Sequence, residues 1–135
     1  MPLPPRIPRA APQRSAAKAD AKKQREALWH VKLVKTLPCC ACGKPAPNDP
    51  HHLMRGVERG TSMTAAGRYT IPLCRQHHTE ITPHGDPEAV LMERYGVDAR
   101  ALAEALWSAS PDAGAMQRAV LRAQQDARLR GRDVA

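Results

Sequence analysis

All four cysteines and five of the six histidines of this 135-residue chain fall between residues 39 and 84. The rest of the sequence has little with which to build a core. It holds two Trp, two Tyr and no Phe, against 13 Pro. Its apolar side chains are mostly Ala, Leu and Val, which bury little area each. A short chain with a thin core needs a staple, and a large two-domain enzyme with a buried cofactor pocket is excluded. The opening MPLPPRIPR lacks the apolar run of a secretory signal, and no apolar run is long enough to span a bilayer. A cytoplasmic protein without a membrane partner is therefore expected. In that compartment cysteines serve better as metal ligands than as disulfides.

Two half-sites carry the staple. Cys39-x-x-Cys42 is followed by Gly43, which permits a tight turn. Cys74-x-x-His77 opens a short helical pattern. Together they make a closed Cys₃His set, the donor number of a structural zinc site. Zinc bound there is folding energy. Cys40 stands between the first two ligands as a bystander, with a Cys40–Cys42 pairing as the alternative. A redox Cys-x-x-Cys pair is a further alternative, although no βαβ pattern surrounds it.

The chain divides into three parts. Residues 1–14 hold five prolines and predict a disordered basic arm. Residues 15–85 predict a helix from Ser15 to Lys35, a turn-rich cysteine segment, a short strand from residue 51, a loop over 54–68, a strand over 69–73 and a short helix after Cys74. The first helix should bury Leu28, Val31, Val34 and Leu33. Residues 86–135 predict a C-terminal helical extension. Asp86-Pro87-Glu88 opens one helix that Gly96 ends, Asp98 caps a second, and Ser110-Pro111-Asp112 opens a third that frays at Gly131. The class is α+β: a small zinc-stapled module flanked by helices.

Within the middle part lie His51-His52 and a third histidine, His78, beside the zinc half-site. Consecutive strand residues point to opposite faces, so His51 and His52 cannot easily grip one ion together. One ligand and one base is the natural division, and near-neutral imidazole suits both. Charge points to an anionic partner. The net charge is +8, and all of the excess lies in residues 1–85. Nucleic acid is the first candidate, a solubilising tail the bland alternative. Arg55, Arg59, Arg68 and Arg75 surround the histidines, and guanidinium suits bidentate phosphate contact. The scarcity of aromatics speaks against single-strand recognition by base stacking.

The segments LPCCACG (37–43), DPHHL (49–53) and IPLCRQHH (71–78), in that order, resemble HNH nucleases of the ββα-metal fold. The likeness is strongest to the phage and prophage group with a zinc knuckle beside the active site, which includes relatives of the recombination-enhancement nuclease. It covers about residues 28–107 and leaves both tails outside. The resemblance implies a DNA endonuclease that hydrolyses phosphodiester bonds with one divalent ion, Mg²⁺ or Mn²⁺, with Zn²⁺ or Ni²⁺ as further candidates. By position, His51 and His78 would be ligands of that ion and His52 the general base. Double-stranded DNA is the implied substrate, with a recombinase or a packaging or replication component as candidate protein partners.

Two positions depart from the family. Where an Asn or Asp often orients the base, this chain has GRYT (67–70). Four residues after His78, where a third metal ligand often stands, it has Thr82. His84 is the nearest substitute, though its spacing does not match a regular helix. These departures leave an alternative: a catalytically weak or inactive zinc module that binds DNA or protein.

Overall fold

A computed structural model describes residues 2–4, 14–53 and 67–133 of the chain. Among these residues lie five helices and one two-stranded antiparallel sheet, an α+β arrangement. In chain order they are α1 (Arg14–Val34), β1 (Asp49–His52), β2 (Thr70–Leu73), α2 (Arg75–Ile81), α3 (Pro87–Tyr95), α4 (Ala99–Ala109) and α5 (Ala113–Asp133). The predicted arm falls outside the described residues except for 2–4 and Arg14. The predicted loop does so except for Gly67 and Arg68, whose backbone is helical. No helix among the described residues is long and apolar enough to cross a membrane.

The buried stripe of α1 differs from the predicted one. Ala27, His30 and Val34 face the core, while Leu28 is 55% exposed and Trp29 57% exposed. The spacing of the buried three is still helical, but a histidine takes a place that the apolar pattern assigned to leucine.

Proline sets the register of the sheet. Pro50 lies opposite Pro72, with Asp49 opposite Leu73 and His51 opposite Ile71. Neither proline can donate a backbone hydrogen bond, so their pair must sit where the backbone groups point away from the partner strand. The outward carbonyl of Pro72 accepts from Cys40 N at 3.0 Å, and the ladder continues with Leu53 N donating to Tyr69 O at 2.9 Å. A one-residue slip would put a proline at a donor position and turn His51 out of the core. β1 begins at Asp49, two residues before the predicted start, because the ladder extends through the proline pair.

The C-terminal helices follow their caps. Asp86 and Asp98 accept from Ala89 N and Ala101 N. Gly96 ends α3 in the left-handed conformation, φ 71°. α5 departs from expectation at both ends. Ser110 closes α4, Asp112 caps α5 by accepting from Ala115 N at 3.1 Å, and the helix runs through Gly131 to Asp133. Ser110 is already taken as the C-cap of α4, its N–H donating to Leu106 O, so the cap of α5 falls to the next residue with a side-chain acceptor, Asp112.

One core joins these elements. Ile71, Leu73, Ile81, Leu91, Leu106 and Met116 are its largest fully buried apolar side chains. Each contributes about 1.5–3 kcal/mol of burial. α4 packs on α5 and on β2, α1 packs on both strands, and α2 packs on both strands and on α3. The C-terminal helices thus share a core with the cysteine segment.

Candidate metal centres

Cys39, Cys42, Cys74 and His77 converge, with their donor atoms all within 4.8 Å of one another. The first pair sits on a knuckle after α1. There Cys39 N donates to Lys44 O at 2.9 Å and Gly43 N to Cys39 O at 2.8 Å. Gly43 takes φ 78°, the left-handed region, which is how the glycine permits the tight turn. Asn48 ties the knuckle down, donating its side-chain amide to Leu37 O at 2.8 Å and Lys44 O at 3.0 Å. The second pair comes from the junction of β2 and α2, one helical turn apart. Cys74 Sγ lies 3.0 Å from His77 Nδ1 and 3.9 Å from Cys42 Sγ. Two thiolates on one tetrahedral zinc stand ~3.8 Å apart, so the cluster is consistent with a structural zinc site.

The thiols differ in acidity. Burial pushes Cys74 up, but hydrogen bonds from the His77 backbone and ring, and from Cys42 and Cys39, bring it down to about 7. Burial outweighs the opposing backbone hydrogen bond at Cys42, which rises to about 11. Cys40 is buried outside the cluster, and burial pushes its thiol far up. Its place as a bystander follows from Cys40 N being tied to Pro72 O. Metal binding must displace protons from the cluster, so affinity rises with pH.

Beside the cluster lies a second group of donors. Asp49 and His51 alternate with Pro50 and His52 along β1. His51 is buried at 4% exposure and His52 is exposed. His78, on α2, meets His51 edge to face with ring centroids 5.2 Å apart. Asp49 Oδ2 lies 3.2 Å from His78 Nδ1 and accepts from Arg75 Nε at 2.9 Å. Burial raises the Asp49 carboxyl, but the hydrogen bonds from His78 and Arg75 outweigh it and hold the acid below its usual range. Ionised Asp49 has no proton to give, so His78 Nδ1 is the donor of this hydrogen bond, and in the neutral ring the lone pair then sits on Nε2.

His51 Nε2 is buried and makes no hydrogen bond among the described residues. Burial lowers its pKa to about 4, against the opposing pull of Glu88. His52, though its side chain reaches solvent, is also lowered, first by partial desolvation of the ring and then by the repulsion that a protonated His78 would exert. Both shifts favour the neutral imidazole at pH 7. Glu88 Oε1 stands 3.9 Å from His51 Nε2. Sequence reasoning missed Glu88 because Asp86-Pro87-Glu88 is fully accounted for as a helix start. Only the packing of α3 on α2 carries it to β1.

The other predicted residues are placed as follows. Thr82 is exposed, and its hydroxyl donates to His78 O. His84 is exposed just beyond α2, its N–H donating to Ile81 O at 3.2 Å. Arg75 is engaged by Asp49 but 84% exposed. Arg68 lies over the rings of Tyr69 and Trp107, at 5.3 and 5.8 Å. Arg55 and Arg59 fall outside the described residues.

The model of a family described as proteins of unknown function, DUF968, matches residues 9–111. An uncharacterized protein of Escherichia coli (strain K12), YdfU, is 42% identical over 67 residues, which are 50% of this chain and 18% of that protein. The chain thus spans less than a fifth of the length of that curated relative. No solved structure matches.

Proposed function

For a chain that belongs to the DUF968 family, we propose metal-dependent hydrolysis of DNA phosphodiester bonds in an HNH-type ββα-metal module. The observation that carries the reading is the neighbouring pair on β1. His51 is turned inward against His78, and His52 is turned out to solvent. One strand thereby offers a buried donor and an accessible base on consecutive residues, which is the division of labour that phosphodiester hydrolysis needs.

The donor set suits a divalent ion. His51 Nε2 is a buried imidazole nitrogen without a hydrogen bond, and the hydrogen bond to Asp49 aims the lone pair of His78 from Nε2. When bound, the ion would neutralise charge on the scissile phosphate and the leaving oxygen. His52, whose pKa partial desolvation and His78 hold down, takes a proton from the attacking water. Asp49 keeps His78 oriented through the same step. The exposed guanidinium of Arg75, fixed on one side by Asp49, presents its remaining N–H groups to the backbone of the substrate. The likeness to HNH nucleases implies 5′-phosphate and 3′-hydroxyl ends.

The test is His52→Ala. It should abolish nicking of supercoiled plasmid in Mg²⁺ or Mn²⁺ while leaving zinc content and DNA affinity unchanged. A second reading, a zinc module that binds DNA or protein without cleaving it, draws on Thr82, whose hydroxyl is spent on the His78 carbonyl. Wild-type protein that binds DNA but never nicks it across several divalent ions establishes that reading instead.

A further inference from the structure

We infer that Glu88 is a carboxylate ligand of the divalent ion held by His51 and His78, so that the first turn of α3 supplies what position 82 of α2 does not. The inference rests on the reading of His51 and His78 as ion ligands.

Three observations meet at this residue. His51 Nε2 lies 3.9 Å from Glu88 Oε1. That is too long for a hydrogen bond, which spans about 2.7–3.2 Å. Imidazole and carboxylate ligands that each stand ~2.0–2.2 Å from a metal lie ~3.0–3.6 Å from one another at octahedral or tetrahedral angles, so a shift of a few tenths of an ångström brings both donors onto one cation. Second, His51 Nε2 is a buried acceptor or donor with no hydrogen bond among the described residues. Its side chain is 6% exposed and that of Glu88 15%. A histidine nitrogen so enclosed is costly unless something bonds to it. Third, the residue that an i+4 spacing would offer is otherwise engaged: the Thr82 hydroxyl donates to the carbonyl of His78.

The position of Glu88 is built into the chain. Asp86 caps α3 and Pro87 fixes its first turn, so Glu88 stands at the second helical position with its orientation set by the helix start. Pro87 is itself buried, which seats this turn against the module. The resulting set is two imidazoles and one carboxylate, with Asp49 as the outer partner of His78. Mixed nitrogen and oxygen donors with one negative charge suit a first-row divalent cation such as Mn²⁺ or Ni²⁺, and leave coordination positions for phosphate oxygen and water. A neutral threonine hydroxyl would supply no charge.

The measurement is Mn²⁺ binding to the full-length, zinc-loaded protein, read by electron paramagnetic resonance of free Mn²⁺ and by calorimetry. Wild type should bind one Mn²⁺ beyond its zinc. Glu88→Gln should raise the dissociation constant at least tenfold, as should His51→Ala, while Thr82→Ala and His84→Ala leave it within twofold. Retained zinc stoichiometry and an unchanged thermal midpoint show that Glu88→Gln is folded; should it fail to fold, Glu88→Asp, which keeps the charge and shortens the reach, must weaken Mn²⁺ at least threefold. Wild-type affinity in Glu88→Gln overturns the inference, and so does a wild type that binds no Mn²⁺. The nuclease reading fails separately. A wild type that binds Mn²⁺ through Glu88 yet never nicks DNA keeps the ion site and loses the reaction. A wild type that nicks DNA, with Glu88→Gln equal to it in nicking and in Mn²⁺ affinity, keeps the reaction and loses Glu88.

Discussion

Gln124 donates its side-chain amide to the carbonyl oxygen of Cys39 at 2.9 Å, joining residues 85 positions apart. α5 thus braces the knuckle that presents two of the four donors of the Cys₃His cluster. Gln124→Leu should lower stability by about 1 kcal/mol, the net value of one such bond. It should keep stoichiometric zinc but release it faster to a chelator. Thermal unfolding and a colorimetric zinc-release assay check both parts.

The cluster itself predicts a sharper split between neighbours. Cys42→Ser and Cys74→Ser should lose zinc and unfold, because apparent binding energies of structural zinc, about 10–16 kcal/mol in small domains, are folding energy. Cys40→Ala should keep one zinc per chain and cost roughly 1 kcal/mol, as a small core deletion does. Metal analysis beside circular dichroism separates the two. Zinc loss in Cys40→Ala at full folding would mean that the ligand set is wrong.

His30 predicts an acid limb of stability. Its ring is fully buried, edge-on to Trp107 at 5.0 Å, and neither nitrogen has a hydrogen bond among the described residues. Burial lowers its pKa to about 4 from 6.5. Between those values the unfolded chain holds the extra proton, so stability falls as pH drops through that window and is flat above it. The full swing is on the order of 3 kcal/mol. His30→Leu should remove this part of the slope and be no less stable than wild type at pH 7.5. Urea unfolding of both proteins at pH 7.5, 6 and 5 gives the difference, in which the zinc-linked proton uptake cancels. An unchanged difference across the three pH values refutes it.

Arg6, Arg9 and Arg14 lie within residues 1–14, which carry no acidic residue. If they meet phosphates, deleting residues 1–14 should reduce the slope of log affinity against log salt by up to about 2.7, near 0.9 per contact. Fluorescence anisotropy on duplex DNA between 50 and 200 mM salt measures it. An unaltered slope would assign the arm to solubility alone.

The sequence by itself determined the donors and the local stops. Cys-x-x-Cys-Gly and Cys-x-x-His name their ligands because a two-residue gap brings both side chains of a half-site to one point, whatever lies around them. Asp86, Gly96 and Asp98 mark helix ends because caps act over three or four residues. The opposite facing of His51 and His52 likewise follows from strand geometry alone. Only the tertiary structure decided which face of β1 is buried, that His30 and not Leu28 enters the core, and that Arg68 lies against Tyr69 and Trp107. It also decided that Glu88 stands beside His51 and that Gln124 holds Cys39. These are contacts between elements far apart in the chain. They depend on how α3 and α5 pack against the module, and neither a capping signal nor an apolar period carries information about the partner on the other side.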